Sequence, residues 1–178
     1  LIVPIAADTD KMGTEMPYLF GLDSNGLMYC VKSIMGLPLE AFSDIYFTIL
    51  HKHNLRYKLL EMMQIQFERL GIAHKTHVYE LWESTSSQPE TLYHTVVGNH
   101  ITGAVLFKDG DSYFTTEVYP ENMLYIFPLD GLQVVNPQNK SYVTIDEQYY
   151  ITNIIEKKIV SRFFCAGGYS IEAVSYTH

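Results

Sequence analysis

Gly103-Ala104-Val105-Leu106-Phe107-Lys108-Asp109-Gly110-Asp111 is the stretch on which the fold turns. Its opening, Gly103 to Phe107, is apolar without interruption, as a strand buried on both faces of a parallel sheet should be, and it stops at an acidic turn. In open α/β sheets ligands bind beyond the carboxyl ends of the strands, so a strand that ends on two carboxylates marks a candidate site. Asp109 and Asp111, with Gly110 between them, offer hard oxygens to Mg²⁺, which takes one or two carboxylates and completes its shell with phosphate oxygens and water. Asp-Gly is also a common turn former, and the same residues suit a plain surface turn.

Upstream of this strand, short apolar runs alternate with amphipathic segments, the pattern of βαβ units around a largely parallel sheet. Residues 1–7 read as a buried strand. Residues 27–35 read as a helix with Leu27, Val31 and Ile34 on one face, and 44–50 as a β-branched and aromatic strand. Over 57–70, Leu59, Leu60, Met63, Phe67 and Leu70 recur at helical spacing, and Gly71 follows as a C-terminal glycine. A third strand is expected at 77–81. A helix is expected over 84–97, capped by Thr85, Ser86 or Ser87, with Pro89 and Glu90 in its first turn. Downstream the texture changes to strands and turns: 124–127, a turn at 136–139, then 142–145, 151–155 and 159–165.

The chain has 178 residues, 47% hydrophobic and 18% charged, which suits one packed domain and not a disordered segment. Its net charge is −8 and its 12 Lys and Arg are scattered, so the basic stripe that a nucleic-acid partner requires is missing. A small anionic ligand remains compatible, because backbone N–H groups and a cation act locally. No apolar run reaches the roughly 20 residues of a membrane helix, and the first seven residues lack a signal peptide's basic flank. Cytoplasm is the expected address, with no membrane partner. The sequence begins without Met and ends soon after an apolar strand, which is compatible with a longer protein.

Cys30 and Cys165 are expected to be buried thiols. His51-Lys52-His53 and His74-Lys75-Thr76-His77 contain paired imidazoles but no third ligand at a fitting spacing, which disfavours zinc. The sequence carries no P-loop, G-x-G-x-x-G, G-x-S-x-G or C-x-x-C. Glu156-Lys157-Lys158 after a strand offers a carboxylate for sugar hydroxyls and an ammonium for a phosphate; it equally suits a solvated charge pair.

Three stretches together resemble bacterial sugar-phosphate nucleotidyltransferases, in particular those encoded with capsular polysaccharide genes: residues 103–114 with the acidic turn, residues 85–97, and residues 139–169 with Glu156-Lys157 and a Gly167-Gly168-Tyr169 turn. The resemblance implies the three-layer, Rossmann-like α/β fold of the nucleotide-diphospho-sugar transferases (GT-A), a mixed, mainly parallel sheet with helices on both faces. It implies a single domain over 1–178, C-terminally incomplete relative to the family, with a nucleotide half (1–123) and a sugar half (124–178). By match, Asp111 and Asp109 would bind Mg²⁺, with Mn²⁺ as an alternative, and Asp111 and Lys157 would be catalytic. Ala6, Ala7, Lys11, Thr85, Ser86, Ser87, Asp109, Glu156, Gly167 and Gly168 would line the substrates. The family's Gly-rich loop with an Arg reads here Ala6-Ala7-Asp8-Thr9-Asp10-Lys11-Met12-Gly13, and its Pro-Lys pair reads Pro17-Tyr18, a degenerate signature in which Lys11 is the nearest cation.

The implied reaction is attack of a sugar-1-phosphate oxygen on the α-phosphorus of a nucleoside triphosphate, releasing pyrophosphate, for surface polysaccharide synthesis. Two alternatives stay open. One is a degenerate module that binds sugar or nucleotide without turnover. The other is a glycosyltransferase that holds a nucleotide sugar on Asp109-Gly110-Asp111. Edge strands and a surplus of aromatic residues leave room for a homo-oligomer.

Overall fold

The computed structural model describes residues 1–8, 18–130 and 136–174. Strand β1 (Ile2–Pro4) pairs in parallel with β2 (Ile45–Leu50) and with β4 (Gly103–Lys108), and β2 pairs in parallel with β3 (Thr76–Leu81). In β2, Ile45, Phe47 and Ile49 are buried on one face and Thr48 and Leu50 on the other. A strand buried on both faces needs a layer on each. On one face Val3 and Phe47 pack against Val31 of α1 (Tyr29–Lys32) and against Leu59, Met63 and Phe67 of α3 (Leu59–Arg69). On the other face Ile2, Val105 and Phe107 pack against Val96 of α4 (Gln88–Gly98). A buried Thr48–Thr95 hydroxyl pair, 2.7 Å apart, joins β2 to α4. These contacts make three layers.

The second half of the sheet is antiparallel. Strand β8 (Phe163–Val174) runs beside β4, with Phe107 opposite Tyr169 and Lys108 opposite Gly168. It also takes β5 (Met123–Pro128) and β6 (Ser141–Ile145), and β6 takes β7 (Ile151–Glu156). The order is β3-β2-β1-β4-β8-β6-β7, with β5 on β8 off that path, so both ends of the chain contribute to one mixed sheet.

Two segments differ from expectation. A helix not foreseen from the sequence, α2 (His51–Tyr57), follows β2 at once, and Lys58 at φ 53° separates it from α3. A left-handed residue ends one helix and re-aims the next, which a periodicity count across 57–70 does not register. The last strand begins at Phe163, so Gly167-Gly168-Tyr169 lies inside β8 and is not a turn. Gly167 sits at φ 82°, and the ladder to β5 shifts register between Leu124 and Ile126. Glycine in a strand marks a bulge or a close backbone approach, and both occur here. Cys30 and Cys165 are free and buried, and no described helix is long and apolar enough to cross a membrane.

Candidate functional site

The acidic turn is built around a buried cation. Lys108, the last residue of β4, is fully buried, and its Nζ donates to Asp109 O at 2.8 Å, to Ser112 Oγ at 2.7 Å and to Ser112 O. It also lies 4.7 Å over the Phe114 ring. Burial pulls this ammonium down to about 8, against the opposing pull of the Asp109 and Asp111 carboxylates. An ammonium has three protons to donate, and here the turn's own oxygens take them, so Lys108 ties the turn from beneath and leaves both carboxylates clear.

Asp109 and Gly110 are then seated by different parts of the fold. Asp109 N donates to Gly167 O of β8 at 2.7 Å, and Asp109 Oδ1 accepts from Gln88 Nε2 of α4 at 2.6 Å. Gly110 packs on Ile5 so closely that a Cβ would overlap the isoleucine side chain. A Cβ on Gly167 would stand 2.6 Å from Asp109 Oδ2 and 2.8 Å from Ser112 Oγ. The glycine there makes room for the acidic turn itself. Gly168, by contrast, packs under Phe114 and Tyr125.

Asp109 is raised above the ordinary carboxyl range, first by burial and further by the neighbouring Asp111, with Gln88 and Lys108 pulling the other way. Two carboxylates on one turn, one of them partly buried and raised by that burial, fit a hard divalent cation, whose charge would favour their ionised form. Among the described residues no group of three or more His, Cys, Asp or Glu could hold a metal ion. Asp109 and Asp111 are the carboxylates that could be offered to a cation here, a pair that Mg²⁺ tolerates when phosphates and water complete its shell.

Of the four clefts that Asp111 lines, three bear on the acidic turn's two sides. The largest, about 470 Å³, lies beyond the ends of β1 and β4 and is lined by Ala6, Ala7, Asp8, residues 85–88 and Asp109 to Asp111. Asp8 accepts from Lys52 Nζ at 2.7 Å and from Ser84 Oγ at 2.9 Å. The hydroxyls expected at the helix start are present, and they serve the helix. Ser87 caps α4 by accepting from Glu90 N, Glu90 in turn accepts from Ser86 N and Oγ at 2.6 Å each, and Thr85 pairs with Thr91 at 2.6 Å. A smaller polar cleft of about 130 Å³ joins Asp109 and Asp111 to Lys140, Gly167 and Tyr169. A third, about 410 Å³, runs past Asp111 and Lys140 between Phe114, Phe127 and Phe164.

Lys11 lies outside the described residues. Glu156 and Lys157 sit at the C-terminal end of β7, 3.1 Å from one another and about two-thirds exposed; Glu156 is opposite Ser141 and Lys157 N donates to Lys140 O, so both adjoin the lining of the small polar cleft without being part of it. Lys140 and Lys108 occupy the site without having been given a role in the sequence. Only Lys108 carried a local signal, as a lysine closing an apolar strand. Cys165 lies 3.2 Å from Tyr169 Oη, and burial raises both the thiol and the phenol, so neither is an activated nucleophile.

No protein-family model matches this sequence, and no curated protein matches it. Solved structures do. The nucleoside-diphosphate-sugar pyrophosphorylase from Vibrio cholerae RC9 superposes with a TM-score of 0.68 at 17% identity, over 97% of this chain and 73% of that one. The inositol-1-phosphate CTP transferase from T. maritima gives 0.68 at 13%, over 96% and 69%. A UDP-glucose pyrophosphorylase complexed with UDP-glucose gives 0.64 at 12%, over 96% and 75%. The chain has the Rossmann-like α/β fold of the nucleotide-sugar pyrophosphorylases and nucleotidyltransferases, along nearly its whole length.

Proposed function

We propose that this chain is a nucleotidyltransferase that joins a nucleoside triphosphate to a sugar phosphate, with Mg²⁺ or Mn²⁺, in the synthesis of surface polysaccharide. The observation that carries the reading is the convergence of Asp109 and Asp111 on the cleft beyond β1 and β4, on a fold shared with pyrophosphorylases. Asp109 and Asp111 would hold the cation, which supplies charge neutralisation at the phosphates. Lys108 fixes the turn, Gln88 orients Asp109, and the cleft floor from Ala6 to Asp8 faces the start of α4 across the nucleotide side. On the other side of Asp111, Lys140 is the cation placed to meet the phosphate of the acceptor. In the reaction a sugar-phosphate oxygen attacks the α-phosphorus, the bond to the β-phosphate oxygen breaks, and pyrophosphate leaves.

The test is pyrophosphate release across a panel of nucleoside triphosphates and sugar phosphates with Mg²⁺, with Asp111→Ala as control. Release that depends on Asp111 supports the reading. One feature favours a second: among the described residues the lining of the large cleft contains Asp8, Asp109 and Asp111 but no Lys or Arg, which suits a module that binds without turnover. Sugar or nucleotide binding without pyrophosphate release would decide for that module. Release of nucleoside diphosphate from a nucleotide sugar in the presence of an acceptor would move the assignment to glycosyl transfer.

A further inference from the structure

Among the described residues β3, β5 and β7 each have a single neighbour, and the two that end the strand order, β3 and β7, are finished differently. On β3, His77 is paired with Asp44 at 3.0 Å and Glu80 with His51 at 2.7 Å, the charged finish that discourages pairing with another chain. On β7, Ile151 and Ile154 are 45% and 50% exposed, Tyr149 and Tyr150 before it 78% and 73%, and Ile159 after it 56%. The ends of β7 carry opposite charge. The turn before it holds Asp146 and exposed Glu147, with Asp146 accepting from Gln148 N and Tyr150 N; the other end holds exposed Glu156, Lys157 and Lys158, of which Lys157 pairs with Glu156 at 3.1 Å and Lys158 carries the net positive charge. A strand with an acidic turn at one end and a basic turn at the other is complementary to itself only when antiparallel.

We propose that β7 is a self-association edge: a second copy of this chain pairs with it antiparallel about a twofold axis, continuing the sheet from one copy into the other. Such a contact is isologous, so the acidic turn of each copy meets the basic turn of the other, twice. A parallel pairing would set lysine against lysine. The exposed isoleucines and tyrosines are covered by their own counterparts across the axis. Glu156-Lys157-Lys158, which adjoins the clefts without lining them, thereby acquires a place in the molecule: its Lys158 supplies the basic end of the edge. Because Lys157 N donates to Lys140 O at 2.9 Å, the second copy backs the hairpin whose other strand begins beside the clefts.

The test is sedimentation equilibrium of the whole chain from micromolar concentrations to about 100 µM. Wild type is expected to form a dimer, and Ile154→Lys, at an exposed position, to be a monomer with unchanged circular dichroism. Lys158→Glu should weaken the dimer about tenfold, and Glu147→Lys combined with Lys158→Glu should restore it. The two charge variants carry the test if Ile154→Lys does not fold. A wild type monomeric throughout, a dimer indifferent to Ile154→Lys, or charge variants without effect and rescue would overturn the proposal. No nucleotide or sugar enters the experiment, so its outcome is independent of the proposed activity.

Discussion

The parallel half of the sheet and its antiparallel wing solve the same problem differently. In the parallel half, β2 is buried on both faces, helices lie on either side, and β4 delivers Lys108 and the acidic turn to a fixed point. In the wing, β7 is exposed along nearly its whole length, and β8 carries the load by pairing with β4, β5 and β6 at once. Burial on both faces leaves a chain no freedom to move its strand ends, so side chains at the tips of parallel strands converge. A strand at the rim of the wing holds its side chains in solvent, and Glu156 and Lys157 stay exposed beside Ser141 and Lys140 for that reason.

The sharpest way to break this contrast is to compare the two charged positions in pyrophosphate release with Mg²⁺. Asp111→Ala should lower turnover by about 10² to 10³, while Lys157→Ala should stay within about threefold. The reverse order would move the chemistry into the wing. Next in size is Lys108→Met, which removes the buried donor from Asp109 O and Ser112 O. Urea unfolding should show a loss of about 3 kcal/mol; less than about 1 kcal/mol would mean that the turn holds its shape unaided. Gly167→Ala probes the seam between the halves. Its φ of 82° and its contact with Asp109 predict a cost of about 2 kcal/mol in thermal melting, together with weaker Mn²⁺ binding.

The smallest effect is one of pH. Because Asp109 is raised, the folded state holds its proton more tightly than the unfolded chain does, so its ionisation withdraws stability as pH rises from the ordinary Asp range through the raised value. A bound divalent cation offsets that loss. The rise in melting temperature produced by Mg²⁺ should therefore be greater at about pH 8 than at about pH 5, where protons compete for the same oxygens. Equal stabilisation at both would place the cation away from Asp109.

The parallel half was the more legible. Apolar runs at 44–50 and 103–107 and the hydroxyls before Pro89 are local signals, and β2, β4 and the Ser87 cap of α4 appear where those signals fall. Gly167-Gly168-Tyr169 misled because two glycines look alike in a turn and in a bulged strand. What separates the cases is the partner strand, and the partner here is distant in the chain. Lys140 had no signal at all, since an isolated lysine after Asn139 resembles any solvated residue until β6 sets it beside Asp111.

By itself the sequence determined the alternation of strands and helices and the acidic end of the 103–108 strand, because side-chain periodicity and turn chemistry act between near neighbours. Tertiary structure alone decided which charges share a cleft. The insertion of β8 beside β4 sets Gly167 O against Asp109 N, the first residue of α4 brings the Gln88 amide to the Asp109 carboxylate, and β7 is left outside. Strand order is a property of the whole core, fixed by which faces must be buried together, and no stretch of residues carries it alone.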